Sequence, residues 1–86
     1  MNQSLMRAVV EYALFLGLSE DTVIDPDTSV SQFEQLSLIL KQLTPTEKSE
    51  FIRFIKKMAE QESQRTGSEK RVKFLQSLAD DLGLTD

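Results

Sequence analysis

The sequence contains neither cysteine nor histidine. Without cysteine there is no disulfide framework, no thiolate zinc site and no thiol nucleophile, and a reducing compartment suits the chain. Without histidine there is no imidazole base and no imidazole metal ligand. Glycine and proline are scarce as well, three and two in 86 residues. That leaves too few turn-makers for an all-β fold and favours long helices. No apolar run reaches the ~20 residues of a membrane span. The apolar stretch from Ala8 to Leu16 is interrupted by Glu11, and only Arg7 precedes it, so neither a secretory leader nor a membrane location is expected. The compartment these features fit is the cytoplasm.

An excess of positive charge is also missing. Ten Lys and Arg face fourteen Asp and Glu, for a net charge of −4. The long-range field therefore repels nucleic acid and anionic membranes, and any affinity for them must come from a local basic face within a Debye length of about 8 Å. What remains is ordinary globular material, 40% hydrophobic and 28% charged. At this length it makes one domain, residues 1–86, around one core.

The apolar residues fall at helical spacing in four segments. The first, approximately 4–16, has Leu5, Ala8, Val9, Tyr12, Ala13 and Leu16 on its inward face, with Met6, Val10, Leu14 and Phe15 broadening it. Ser4 is its expected N-cap and Gly17 its left-handed stop. Residues 17–28 read as an irregular acidic connection. Pro26 disfavours helix at Asp25, Val23 and Ile24 are expected to anchor the stretch inward, and Ser19 to Ile24 is compatible with a single helical turn.

The second helix, 29–43, has two overlapping cap signatures, Ser29 with Gln32 and Ser31 with Glu34, and an inward face of Phe33, Leu36, Ile39, Leu40 and Leu43. The third, 45–65, starts with the strongest signal in the chain. Thr44-Pro45-Thr46-Glu47 offers a threonine cap, proline at the first helical position and a glutamate that reaches back. Phe51, Ile52, Phe54, Ile55, Met58 and Ala59 form its inward stripe, and fraying is expected before Gly67. Ser68 caps the fourth, 68–82, with Val72, Leu75, Leu78, Ala79 and Leu82 inward and Phe74 flanking. Ala-x-x-Leu-Gly-Leu occurs at 13–18 and again at 79–84, which reads as one helix-ending device used twice. Four helices with short links make an all-α, compact four-helix bundle.

Little of this carries chemistry. Asp80 and Asp81 are sequence neighbours and point about 100° apart on a helix, so they do not share a proton. No glycine-rich phosphate loop is present. Asp25-x-Asp27-x-Ser29 resembles the first half of a calcium loop, but Val30 stands where glycine is required and Leu36 where a bidentate glutamate is required. The aspartates serve turns and caps instead. No catalytic residue, cofactor or metal is expected.

Two patterns have functional content. Arg53, Lys56 and Lys57 on the third helix, with Arg65, Lys70, Arg71 and Lys73 around the corner after it, are candidates for an anionic partner. Read as a helix-turn-helix, the second and third helices would offer a nucleic-acid interface, which Glu47 and Glu50 at the start of the reading helix oppose. The other pattern is apolar excess. The first helix is apolar nearly all round, and Phe15, Leu38 and Phe74 sit at the margins of their stripes, which marks them as protein contacts. The sequence is thus read as a non-catalytic protein-interaction module, self-associating through its first helix, in an accessory or regulatory role. Nucleic-acid binding through the basic residues is the alternative.

Overall fold

Each helix begins where a short polar side chain stands just ahead of its first free N–H groups. In the computed structural model, which describes residues 1–65 and 68–85, Asn2 opens α1 (Gln3–Leu18), its side-chain oxygen accepting from the Leu5 amide at 3.1 Å. Asp25 opens α2 (Pro26–Leu40) by accepting from the Thr28 amide at 3.1 Å. Thr44 opens α3 (Pro45–Ser63) with the full reciprocal box. Its hydroxyl accepts from the Glu47 amide at 3.2 Å, and the Glu47 carboxylate accepts from the Thr44 amide at 2.9 Å. Ser68 precedes α4 (Glu69–Asp81) without a side-chain cap bond. There is no strand among the described residues.

Several boundaries differ from those read in the sequence. Asn2 rather than Ser4 caps α1, as expected of two side chains with similar capping strength when the earlier one adds a half turn. The second helix starts three residues early. Pro26 does keep Asp25 out of the helical region, but that is the conformation an N-cap needs, and proline then fits the first helical position. It also stops at Leu40, because Gln42 and Leu43 close i→i+3 turns onto Ile39 and Leu40 before Thr44 extends. Ser29 and Ser31 thus lie inside α2, and the Ser29 hydroxyl donates to the Leu16 carbonyl of α1. In the connection, the amides of Val23 and Ile24 turn back onto the Glu20 carbonyl, and Val23 stays exposed rather than anchoring inward. The fraying expected before Gly67 falls partly on 66 and 67, outside the described residues.

The repeated hexapeptide does two different things. At 79–84, Gly83 takes φ +72°, its amide donates to the Asp80 carbonyl at 2.9 Å and the Leu84 amide donates to the Ala79 carbonyl at 3.0 Å. That is a Schellman stop, with Leu84 folded into the core behind it. At 13–18, α1 continues through Gly17 with ordinary helical backbone to Leu18. Gly17 is needed for space instead. A Cβ there would stand 2.1 Å from Cε2 of Phe74 and 2.5 Å from its Cζ, so the Phe74 ring lies directly on the α1 backbone.

Around that contact the four helices bury one apolar core. α3 and α4 pair most closely, Phe51, Ile55 and Ala59 facing Leu75, Leu78 and Ala79, with Leu82 and Leu84 closing the end. α1 lies against both, and α2 packs on α1. The Cα radius of gyration is 12.7 Å, against about 12 Å for a compact chain of this length. α1 buries Met6, Val10, Ala13, Leu14 and Leu16. Leu5, Ala8 and Tyr12, assigned inward from their spacing, point to solvent. The helix is turned so that Gly17, on the Val10–Ala13 side, meets Phe74.

Gly17→Ala measures this constraint. At an unobstructed helical position alanine gains up to about 1 kcal/mol over glycine, whereas overpacking costs 1–3 kcal/mol, so a net loss on the order of 1 kcal/mol is expected in urea unfolding. In a Phe74→Leu background the same substitution should become neutral or stabilising. A loss of the same size in both backgrounds would show that the ring is not the obstacle.

Candidate functional site

Two surfaces carry more than packing requires. The first is the solvent side of α1. Leu5, Ala8, Tyr12 and Phe15 follow one another at spacings of three, four and three, the a/d pattern of a helix-pairing seam. All four are exposed, Leu5 by 66% and Phe15 by 48%. The seam runs roughly 15 Å along the helix. α2 extends it sideways. Ser29 meets the Leu16 carbonyl, and the Tyr12 hydroxyl donates to Gln32 Oε1 at 3.3 Å, so α2 runs antiparallel to α1. Equal rise along both helices then brings Ile39, 61% exposed, level with Leu5. Helical periodicity places Gln32, Gln35 and Ile39 on this same flank of α2. None of the named positions on this face is charged, and Glu11 and Arg71 stand at its edge beside Phe15.

The second surface is a groove of about 390 Å³ between α1, the C-terminal half of α3 and the start of α4. Phe54 and Met58 form its floor, both half-buried. One wall is Lys57, Gln61 and Arg65, residues four apart on one flank of α3 and the turn after it. The other is Gln3, Ser4, Arg7 and Glu11 of α1. Arg71 closes one end. Its Nη2 donates to Glu11 Oε1 at 3.1 Å and to Glu62 Oε1 at 3.0 Å, joining α1, α3 and α4 through one guanidinium. The Glu62 hydrogen bond first, and Glu11 with it, outweigh partial burial and raise the Arg71 guanidinium above its ordinary value. Arg71 therefore stays charged at any pH the fold survives. Among the described residues, no carboxylate lies within ion-pair distance of Arg7, Lys57 or Arg65.

The residues singled out from the sequence divide between these places. Phe15 lies on the α1 seam and borders a shallow recess with Leu18, Ser68 and Arg71. Leu38, 56% exposed, is on the back of α2, about 100° round the helix from Ile39. Phe74 is half-buried on Gly17. Of the seven basic residues, Lys57, Arg65 and Arg71 meet in the groove. Arg53 and Lys56 lie on the exposed outer face of α3, and Lys70 and Lys73 on the exposed side of α4. Helical spacing points Leu5, Tyr12 and Ile39 toward the core, and Arg7 stands alone in the sequence, so spacing by itself assembles neither the seam nor the groove. The signal for the seam was present in the 5, 8, 12, 15 spacing.

The calcium-like oxygens are otherwise engaged. Asp25 caps α2, and the Ser29 hydroxyl is bound to α1. Among the described residues, no cluster of acidic side chains is suited to a metal, and no helix is long and apolar enough to cross a membrane. Comparison of the chain with protein-family models, with curated proteins and with solved structures finds no match.

Arg71→Met keeps the apolar stem and removes the charge, leaving Glu11 and Glu62 facing each other. A loss of about 1 kcal/mol is expected at low salt, allowing for the solvent that reaches all three groups. The deficit should shrink at high salt, where the repulsion is screened. An equal loss at both salt levels in urea unfolding would assign the effect to packing.

Proposed function

We propose that the chain is a non-catalytic interaction module that pairs with a second copy of itself through the outer seam of α1 and the adjoining flank of α2. The observation that carries this reading is the row of exposed uncharged residues Leu5, Ala8, Tyr12 and Phe15 along α1, with Ile39 exposed on the adjoining flank of α2. Scattered exposed apolar residues are normal on any surface, but a/d spacing along one helix is the geometry of helix pairing.

The lack of charge at the named positions permits a second copy as the occupant. Two molecules at −4 repel at long range, yet the face itself opposes no charge to its own image. An isologous contact across a two-fold axis sets the seam of one copy against that of the other. The role that fits such a module is accessory or regulatory, in the cytoplasm. Nucleic-acid binding has weaker support. Lys73 stands on the far side of α4 from Arg71 and Lys70 about 100° round the helix from it, and Arg71 is already matched by two carboxylates.

Solution mass by light scattering across a concentration series, at low and high salt, tests the proposal. A dimer that persists in salt is expected, since the contact is apolar. Leu5→Glu and Phe15→Glu should each weaken it by about tenfold or more, from 1.5 kcal/mol or so per large side chain, while the monomer stays folded and any drop in melting temperature fades on dilution. A monomer throughout the series would overturn self-association. A variant that unfolds the chain would place its residue in the core instead.

A further inference from the structure

We propose that the groove between α1, α3 and α4 binds an acidic peptide segment of a partner protein, with its carboxylates on Arg7, Lys57 and Arg65. The three cations come from two separate elements and converge on one concavity, where no carboxylate among the described residues pairs with them. Glu11 and Glu62 also line the groove but are shared with Arg71, so four cations face two carboxylates there, and a bound anion offsets the remaining positive charge. Arg71 is different. It is already held by Glu11 and Glu62, so it forms a fixed end wall and not a free charge.

The rest of the lining narrows the ligand class. Phe54 and Met58 make an apolar floor between the cationic walls, which suits an apolar side chain flanked by carboxylates. Gln3, Ser4 and Gln61 supply neutral hydrogen-bonding groups at the rim for a peptide backbone. Lys57 and Arg65 are eight residues apart, roughly 12 Å along the helix, a length covered by about four extended residues. A nucleic-acid backbone fits less well. Its continuous charge would run onto Glu11 and Glu62 at the closed end. A short peptide stops before that end.

The probe is a fluorescein-labelled peptide, Glu-Glu-Leu-Glu-Glu-Leu-Glu, followed by fluorescence anisotropy against the full chain in about 50 mM salt. Its controls are the same peptide with glutamine for glutamate and a labelled oligothymidine of matched charge. The acidic peptide should bind and the glutamine peptide should not. Arg7→Gln combined with Arg65→Gln should weaken binding by about tenfold or more, as expected when two charge-assisted contacts are removed. Lys56→Gln combined with Lys73→Gln makes the same change in net charge outside the groove and should leave affinity within about twofold.

The inference is overturned by any of three results: no anisotropy change up to about 1 mM protein, equal weakening by both double variants, or tighter binding of oligothymidine than of peptide. Glutamine replacements at these exposed positions do not threaten the fold, and a matching urea midpoint for each variant keeps the comparison clean. The groove and the α1 seam occupy different flanks, so a monomeric Leu5→Glu variant should bind the peptide as the parent does.

Discussion

The close approach of Phe74 to the backbone of Gly17 decides how the bundle is assembled. α1 presents two apolar seams at helical spacing, and a helix can turn only one of them toward a given core. Gly17 breaks the tie. It lies on the side of Met6, Val10 and Ala13, and only a residue without Cβ lets the ring settle there. With that side inward, α4 is drawn against the last turns of α1, and the Schellman stop at Gly83 folds Leu84 into the other end of the same core.

The position of α2 follows from the same choice. It contributes one buried side chain, Leu40, while Phe33 and Leu36 are only partly covered. Polar contacts hold the rest. The Ser29 hydroxyl donates to the Leu16 carbonyl, and the Ser37 hydroxyl donates to the Leu82 carbonyl at 2.7 Å. Each serine takes up a main-chain acceptor near a helix end, where carbonyls lack partners inside their own helix. Lys41 also lies over Gly83, placing a cation beside the C-terminus of α4. A helix attached in this way can leave Leu38 and Ile39 in solvent without opening the core.

The fold class and four helices were legible because spacing and capping act locally. Thr44-Pro45-Thr46-Glu47 forms the reciprocal box its sequence describes, and the inward stripes of α3 and α4 follow from periodicity alone. What was not legible depends on choices between equals. Leu5–Tyr12 and Met6–Ala13 are both seven residues apart, and nothing in the first helix alone says which faces inward. The answer lies nearly sixty residues away, at Phe74. Gly17 and Gly83 sit in matching hexapeptides, yet one supplies a left-handed turn and the other an absent side chain. Asp25-Pro26 signals a break before the proline and equally a helix start after it, and the structure takes the second course. The groove was hidden for a related reason: Arg7 is fifty residues from Lys57, and only the packing of α1 beside α3 joins them.

The net charge of −4 also conceals an arrangement. The first forty residues carry one cation, Arg7, against six carboxylates, while the remainder carries nine cations against eight. Glu11 is drawn to Arg71, Glu20 and Asp21 lie in the connection, Asp25 and Asp27 occupy the start of α2, and Glu34 falls on its far side. Every one of the six is off the Leu5–Ala8–Tyr12–Phe15 seam. The single cation of that half, Arg7, sits on the other flank of α1, in the groove with Lys57 and Arg65, while Glu11 on the same wall is paired with Arg71. Charge is thus kept away from one surface and gathered at the other. Stability alone requires neither placement, since pairing Arg7 with a nearby carboxylate would relieve repulsion at the groove at no cost to the core.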